Sequence, residues 1–112
     1  DLSVVAQLCD RVAVMYAGGI VEDGNVKDVF KDSKHPYTRG LLDAVPKLGR
    51  RERLLRGIEG FVPDLLNPPA GCRFHPRCSY AKDVCREHKP MLTEITTKHL
   101  VSCFLYSGKG AE

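Results

Sequence analysis

Cys72, Cys78, Cys85 and Cys103 follow the spacing C-x5-C-x6-C-x17-C, and a fifth cysteine, Cys9, stands far upstream. Four grouped thiols and one outlier is the distribution that a four-ligand site produces. Thiolates are soft ligands whose charge is stabilised by zinc or by iron, and four of them can close a tetrahedral zinc site or hold a 4Fe-4S cluster. Either would tie "GCRFHPRCSYAKDVC", residues 71 to 85, to the segment around Cys103. Competing readings stand beside metal binding. A disulfide framework is disfavoured, because nothing suggests secretion and a reducing compartment keeps thiols apart. Structural zinc sites usually present C-x2-4-C knuckles, and gaps of five and six residues fall outside that range. Unligated cysteine is also common in cores, and Cys9, on an apolar helix face, is read as a packed small residue. Spacing puts metal binding ahead and leaves the metal open.

His75, His88 and His99 lie among the cysteines and could replace a ligand. No H-x3-5-H pair occurs among them, so each is read as a surface or hydrogen-bonded histidine. His35, next to Pro36, is as well suited to cap a helix as to bind anything. The run "KLGRRERLLR", residues 47 to 56, carries five basic residues and one acid. It is read as a solvated face with Leu48, Leu54 and Leu55 anchored inward.

The elements that must position these residues are short. Leu2, Val5, Ala6 and Cys9 share a helix face. Val12, Val14 and Tyr16 alternate as in a strand before Gly18 and Gly19, which predict a hairpin turn, with Ile20 and Val21 on the returning strand. Gly24 and Asn25 mark the next corner, followed by a short helix carrying Val26, Val29 and Phe30. "SKHPYTRGLLDAV" predicts a second helix capped by Ser33, with Pro36 in its first turn and Tyr37, Leu41 and Leu42 inward; Pro46 ends it. Residues 57–72, with three glycines and three prolines, read as a connector. Ser79 is a candidate cap for a helix through Ala81, Val84 and Cys85, and "HLVSCFLY", residues 99 to 106, alternates like a strand. The last six residues read as a frayed tail. The fold class is α+β: short helices with a β-hairpin, then a small irregular Cys-rich region with a short strand.

At 112 residues the chain fits one domain with a modest core. No apolar run approaches the roughly 18 residues of a membrane-spanning helix, and the N-terminus lacks a signal-peptide pattern. A net charge of +3 does not argue for nucleic acid as a partner. The chain begins inside a helical pattern without a methionine, so it reads as part of a longer protein.

"HPYTRGLLDAVPKL", the cysteine segment and "HLVSCFLY" together resemble the C-terminal part of the ATP-binding subunits of oligopeptide and dipeptide ABC importers. The run Gly60, Val62, Pro63, Leu65, Pro69, Gly71, Cys72, Phe74, Pro76, Arg77 and Cys78 matches the peptide-importer branch, and the opening "DLSVVAQLCDRVAVMYAGGIVEDG" is similar to the stretch after the switch histidine of ABC ATPases. The resemblance implies a division into 1–32, the end of the ABC ATPase domain; 33–106, an accessory domain; and 107–112, a flexible tail. It implies a parent protein that couples ATP hydrolysis, with Mg, to peptide uptake, peripheral on the cytoplasmic face of the cell membrane. Its partners would be a second ATP-binding subunit and the membrane permease subunits, fed by an extracellular peptide-binding protein. It also implies a 4Fe-4S cluster on Cys72, Cys78, Cys85 and Cys103; Arg73 and Arg77, beside two of these positions, read equally as groups that offset its charge or as ordinary surface residues. A redox- or metal-sensing module gating transport and a zinc-stapled structural module are the alternatives. No phosphate-cradling G-x4-G-K-[ST] loop occurs in the sequence, so the chain itself is expected to be non-catalytic. Bare apolar surface on the first helix and hairpin predicts self-association as a dimer.

Overall fold

The computed structural model of the chain describes residues 5, 7–44, 58, 60–106 and 110–111. Val5, Gln7 and Leu8 are helical, and the Cys9 amide closes that turn on the Val5 carbonyl at 3.0 Å. Cys9 is exposed, not packed, because the helical turn ends there and the chain swings directly into the first strand.

Strands β1 (Arg11–Tyr16) and β2 (Gly19–Asn25) form the expected hairpin, with Tyr16 opposite Gly19. Its turn sits one residue earlier than the Gly-Gly pair suggests. Ala17 (φ 48°) and Gly18 (φ 84°) are its two central residues, and positive φ at both is the twist that a two-residue hairpin loop favours. The register then slips: Met15 pairs with Ile20, but Val14 pairs with Glu22, leaving Val21 as an extra residue in β2. Side chains alternate faces along a strand, so this bulge carries Glu22 to the inner face that it would otherwise miss.

Helix α1 (Val26–Lys31) starts at Asn25, whose Oδ1 accepts from the Lys27 amide at 2.9 Å, and buries Val26 and Val29. Helix α2 (Pro36–Asp43) is capped by His35 and not by Ser33: the His35 Nδ1 accepts from the Tyr37 amide at 3.0 Å. Thr38 is its buried residue, while Tyr37, Leu41 and Leu42 are half-buried. The helix stops at Asp43; Pro46 and the basic run 47–56 lie outside the described residues. Residues 60–70 form turns and extended chain, as the prolines and glycines of this stretch require.

A 3-10 turn (His75–Arg77) and helix α3 (Asp83–Glu87) carry the cysteine segment. The helix begins after Lys82, not at Ser79, because the Ala81 amide closes a separate turn on the Cys78 carbonyl at 3.3 Å. Strands β3 (Lys89–Pro90), β4 (Thr93–Thr96), β5 (His99–Val101) and β6 (Gly110–Ala111) complete the order. The strand expected over 99–106 therefore ends at Val101. There the Ser102 amide donates to the Val21 carbonyl, its Oγ donates to the Pro90 carbonyl, and the Tyr106 amide folds back on the Cys103 carbonyl. Within residues 107–112 only Gly110 and Ala111 are described, and they pair with β3.

The main sheet is antiparallel in the order β1-β2-β5-β4, so the fold is a small α+β arrangement. Glu22 opposite Val101 and Asp23 opposite Leu100 join the N-terminal hairpin to the last long-range strand. The core lies on the inner face of this sheet, where Phe74 sets its ring edge-on to Tyr16 at 5.1 Å, Tyr37 at 5.5 Å and His35 at 5.6 Å. Such edge-to-face pairs add about 0.5–1.5 kcal/mol each beyond the area they bury. Among the described residues no helix is long and apolar enough to cross a membrane.

Candidate functional site

Two loops and one helix end bring the four clustered cysteines to one cavity. Gly71 takes φ 71°, and a Cβ there would collide with the Cys85 carbonyl, so only glycine lets the two segments close. The Cys72 amide then donates to that carbonyl at 2.8 Å. From Cys72 the chain enters the 3-10 turn, and the Cys78 amide closes it on the His75 carbonyl at 3.2 Å. Helix α3 presents Cys85, and the turn after β5 presents Cys103. All four thiols line the same cavity, whose wall also includes His35, Phe74, His75 and Lys82.

Backbone amides serve every sulfur. Phe74 and His75 donate to Cys72, Tyr80 to Cys78 and Leu105 to Cys103, while the Lys82 amide lies 3.4 Å from the Cys85 Sγ. In three of the four the donor is two residues beyond the cysteine, so each of these chain segments turns back over its own sulfur. Burial pushes the Cys72 and Cys78 thiols up and Cys103 to about 11; the amide bonds oppose this, and negative charge on neighbouring cysteines adds to it. Charge on the other three cysteines adds to the rise of Cys103, so Cys72, Cys78 and Cys103 ionise together more readily beside a compensating cation.

All five cysteines are free thiols. Among the described residues no group of three or more His, Cys, Asp and Glu side chains is arranged to hold a single metal ion. Thiols from four separate positions, each met by an N–H, share one cavity.

The three histidines among the cysteines are engaged elsewhere or exposed. His75 Nδ1 donates to the Cys72 carbonyl at 2.8 Å, His88 is exposed, and His99 is buried against Glu22. Arg73 and Arg77 do not line the cysteine cavity, contrary to the charge-offset expectation. Arg73 donates to the Ala17 carbonyl, and Arg77 donates to the Tyr16 hydroxyl and the Ile58 carbonyl, each at 3.2 Å. Both guanidinium groups therefore lie against the hairpin end, where backbone and phenol oxygens satisfy them, and Lys82 is the cation on the cavity wall.

Glu22 is the residue the sequence pattern misses. Its fully buried carboxylate accepts from the Lys34 amide at 2.8 Å, the His35 amide at 2.9 Å and His99 Nε2 at 2.5 Å. One side chain thus ties β2 to the residues that enter α2 and to β5, the two walls from which His35 and Cys103 reach the cavity. A glutamate in an alternating strand reads as exposed, and only the bulge reverses that. His35 had a signal in "HPYT", but neither its cap geometry nor its burial was specified there.

Residues 21–85 match the family described as the oligopeptide/dipeptide transporter, C-terminal region. The chain belongs to this family. Relatives of the transporter family agree over a longer stretch. The chain is 43% identical over 106 residues to the dipeptide transport ATP-binding protein DppD of Caldanaerobacter subterraneus, covering 95% of this chain and 32% of that protein. It is 46% identical over 112 residues to the oligopeptide transport ATP-binding protein AppD of Bacillus subtilis, covering 100% and 34%. With the probable peptide ABC transporter ATP-binding protein y4tR of Sinorhizobium fredii it shares 50% over 106 residues, 93% and 31%. The chain spans about a third of the length of the curated relatives it matches. The transporter C-terminal region as matched ends at Cys85, and Cys103 lies beyond it on the same cavity.

Proposed function

We propose that the chain is the C-terminal accessory part of the ATP-binding subunit of an oligopeptide/dipeptide ABC importer, and that its four-cysteine cavity holds a 4Fe-4S cluster. The single observation that supports this most is the convergence of Cys72, Cys78, Cys85 and Cys103, each with a backbone N–H donor, in a chain closely similar to peptide transport ATP-binding proteins. Cys72, Cys78, Cys85 and Cys103 would hold the cluster, which when bound supplies one-electron chemistry and a cross-link. The chain's own residues do the rest. Gly71 closes the loop on α3, the amides orient the sulfurs, and Phe74 seals the wall toward the hairpin.

In this reading residues 1–32 end the ABC ATPase domain, 33–106 form the accessory domain and 107–112 a tail. ATP and Mg bind elsewhere in the parent protein, which works with a second ATP-binding subunit and permease subunits at the cytoplasmic face of the membrane. The accessory part contributes no catalytic group.

The test is anaerobic purification of the full-length parent with iron, sulfide and zinc analysis. Iron and sulfide in equal amounts are expected; zinc alone, or iron without sulfide, would sink the cluster. The importer role is tested separately by peptide uptake in cells lacking the parent subunit. The full-length protein should restore uptake, and failure to do so with peptides of any length refutes that role.

A further inference from the structure

We propose that His35 is the side-chain hydrogen-bond donor of the four-cysteine cavity, offering its Nε2–H to a sulfur of the bound cluster, and that Glu22 holds it in place. The inference rests on the cluster reading above.

The argument is one of tautomers. His35 is 1% exposed and lines the cavity. Its Nδ1 accepts from the Tyr37 amide at 3.0 Å, so in the uncharged ring the proton sits on Nε2 and makes that atom a donor. Burial lowers the His35 pKa, which favours the uncharged ring. His75, the other imidazole on the cavity wall, is the reverse case: its Nδ1 donates to the Cys72 carbonyl, leaving Nε2 as an acceptor. An acceptor gains nothing beside anionic sulfur, whereas a donor is stabilised there.

The position of His35 is also overdetermined. Its amide is bound to the Glu22 carboxylate at 2.9 Å, the same carboxylate binds the Lys34 amide, and its ring packs edge-on against Phe74. The ring is held by the Tyr37 amide and by Phe74, on a backbone that Glu22 pins, and hydrogen bonds to cluster sulfurs stabilise the more negative, reduced state.

The test compares wild type, His35→Asn and His75→Asn in the full-length parent, reconstituted with iron and sulfide under anaerobic conditions. Asn at position 35 keeps a cap for the Tyr37 amide but is too short to reach the cavity. The expected result is a reduction equilibrium at least tenfold less favourable in His35→Asn, a shift of 59 mV for a one-electron couple, with His75→Asn near wild type. An unchanged potential in His35→Asn, or an equal shift in both variants, overturns the proposal. Wild type lacking iron and sulfide would instead overturn the cluster reading, and this inference with it. Should His35→Asn fail to hold the cluster, pulsed EPR of the reduced His75→Asn variant labelled with 15N-histidine decides. A coupling to histidine nitrogen supports the donor role, and its absence refutes it.

Discussion

The Glu22 carboxylate accepts a hydrogen bond from His99 Nε2 at 2.5 Å, with both side chains buried and the two residues 77 positions apart in the chain. Because the same carboxylate also satisfies the Lys34 and His35 amides, removing it orphans three donors at once, two of them buried. Glu22→Ala should therefore destabilise the chain by about 3–5 kcal/mol. Glu22→Gln keeps the shape and part of the bonding and should cost about 1–3 kcal/mol. Urea denaturation measures both, and a loss below 1 kcal/mol for the alanine variant would contradict the keystone role.

Acid should weaken the fold through His35. Its folded value of about 4 lies below the ordinary 6.5, so between these limits the unfolded chain takes up a proton that the folded chain does not. Stability from this source is complete above pH 6.5 and drains away as pH falls through about 4, by about 3 kcal/mol in total. Denaturation of wild type and His35→Asn at pH 7 and pH 4 should show the wild type losing more, by roughly that amount. Parallel losses would mean that His35 is not the buried group responsible.

Serine substitutions should sort the five cysteines. Each of Cys72→Ser, Cys78→Ser, Cys85→Ser and Cys103→Ser should lower iron and sulfide together in anaerobically prepared parent protein, because all four line one cavity. Cys9→Ser should leave both unchanged, since Cys9 is exposed and outside that cavity. Chemical assay of iron and acid-labile sulfide reads this directly.

Gly71→Ala should destabilise by upwards of about 1 kcal/mol, through both its φ of 71° and the collision with the Cys85 carbonyl. Gly19→Ala is the matched control. A Cβ there meets its nearest atom, the Tyr16 carbonyl oxygen, at 3.9 Å, and should change stability by no more than about 0.5 kcal/mol. Thermal melts of the two variants make the comparison.

Met15 and Ile20 form an exposed cross-strand pair on the outer face of the hairpin, with Leu8 exposed near the strand's start. An apolar pair of this kind favours association of the chain with itself. Light scattering should show a dimer that Met15→Lys with Ile20→Lys shifts toward monomer; a wild-type monomer at all concentrations would remove the idea.

Much of the fold was legible from local rules. The hairpin, the Asn25 cap, the glycine- and proline-rich connector and the grouping of four cysteines all express short-range steric and hydrogen-bonding preferences. Errors arose where a competing local partner won. His35 displaced Ser33 as a cap because its Nδ1 reaches the Tyr37 amide, and the turn through Ala81 delayed α3 past Ser79. Alternation over 99–106 was real as a pattern, but the bonds made by Ser102 and Tyr106 end the strand so that Cys103 can leave the sheet.

The sequence by itself determined which atoms are available for chemistry: four grouped thiols and a histidine beside a helix-starting proline in "HPYT". Only the tertiary structure decided where they face. A single extra residue in β2 turns Glu22 inward, and pairing of β2 with β5 brings His99 to it from far along the chain. Spacing encodes local geometry, whereas burial of a charged group depends on register and on partners that only folding supplies.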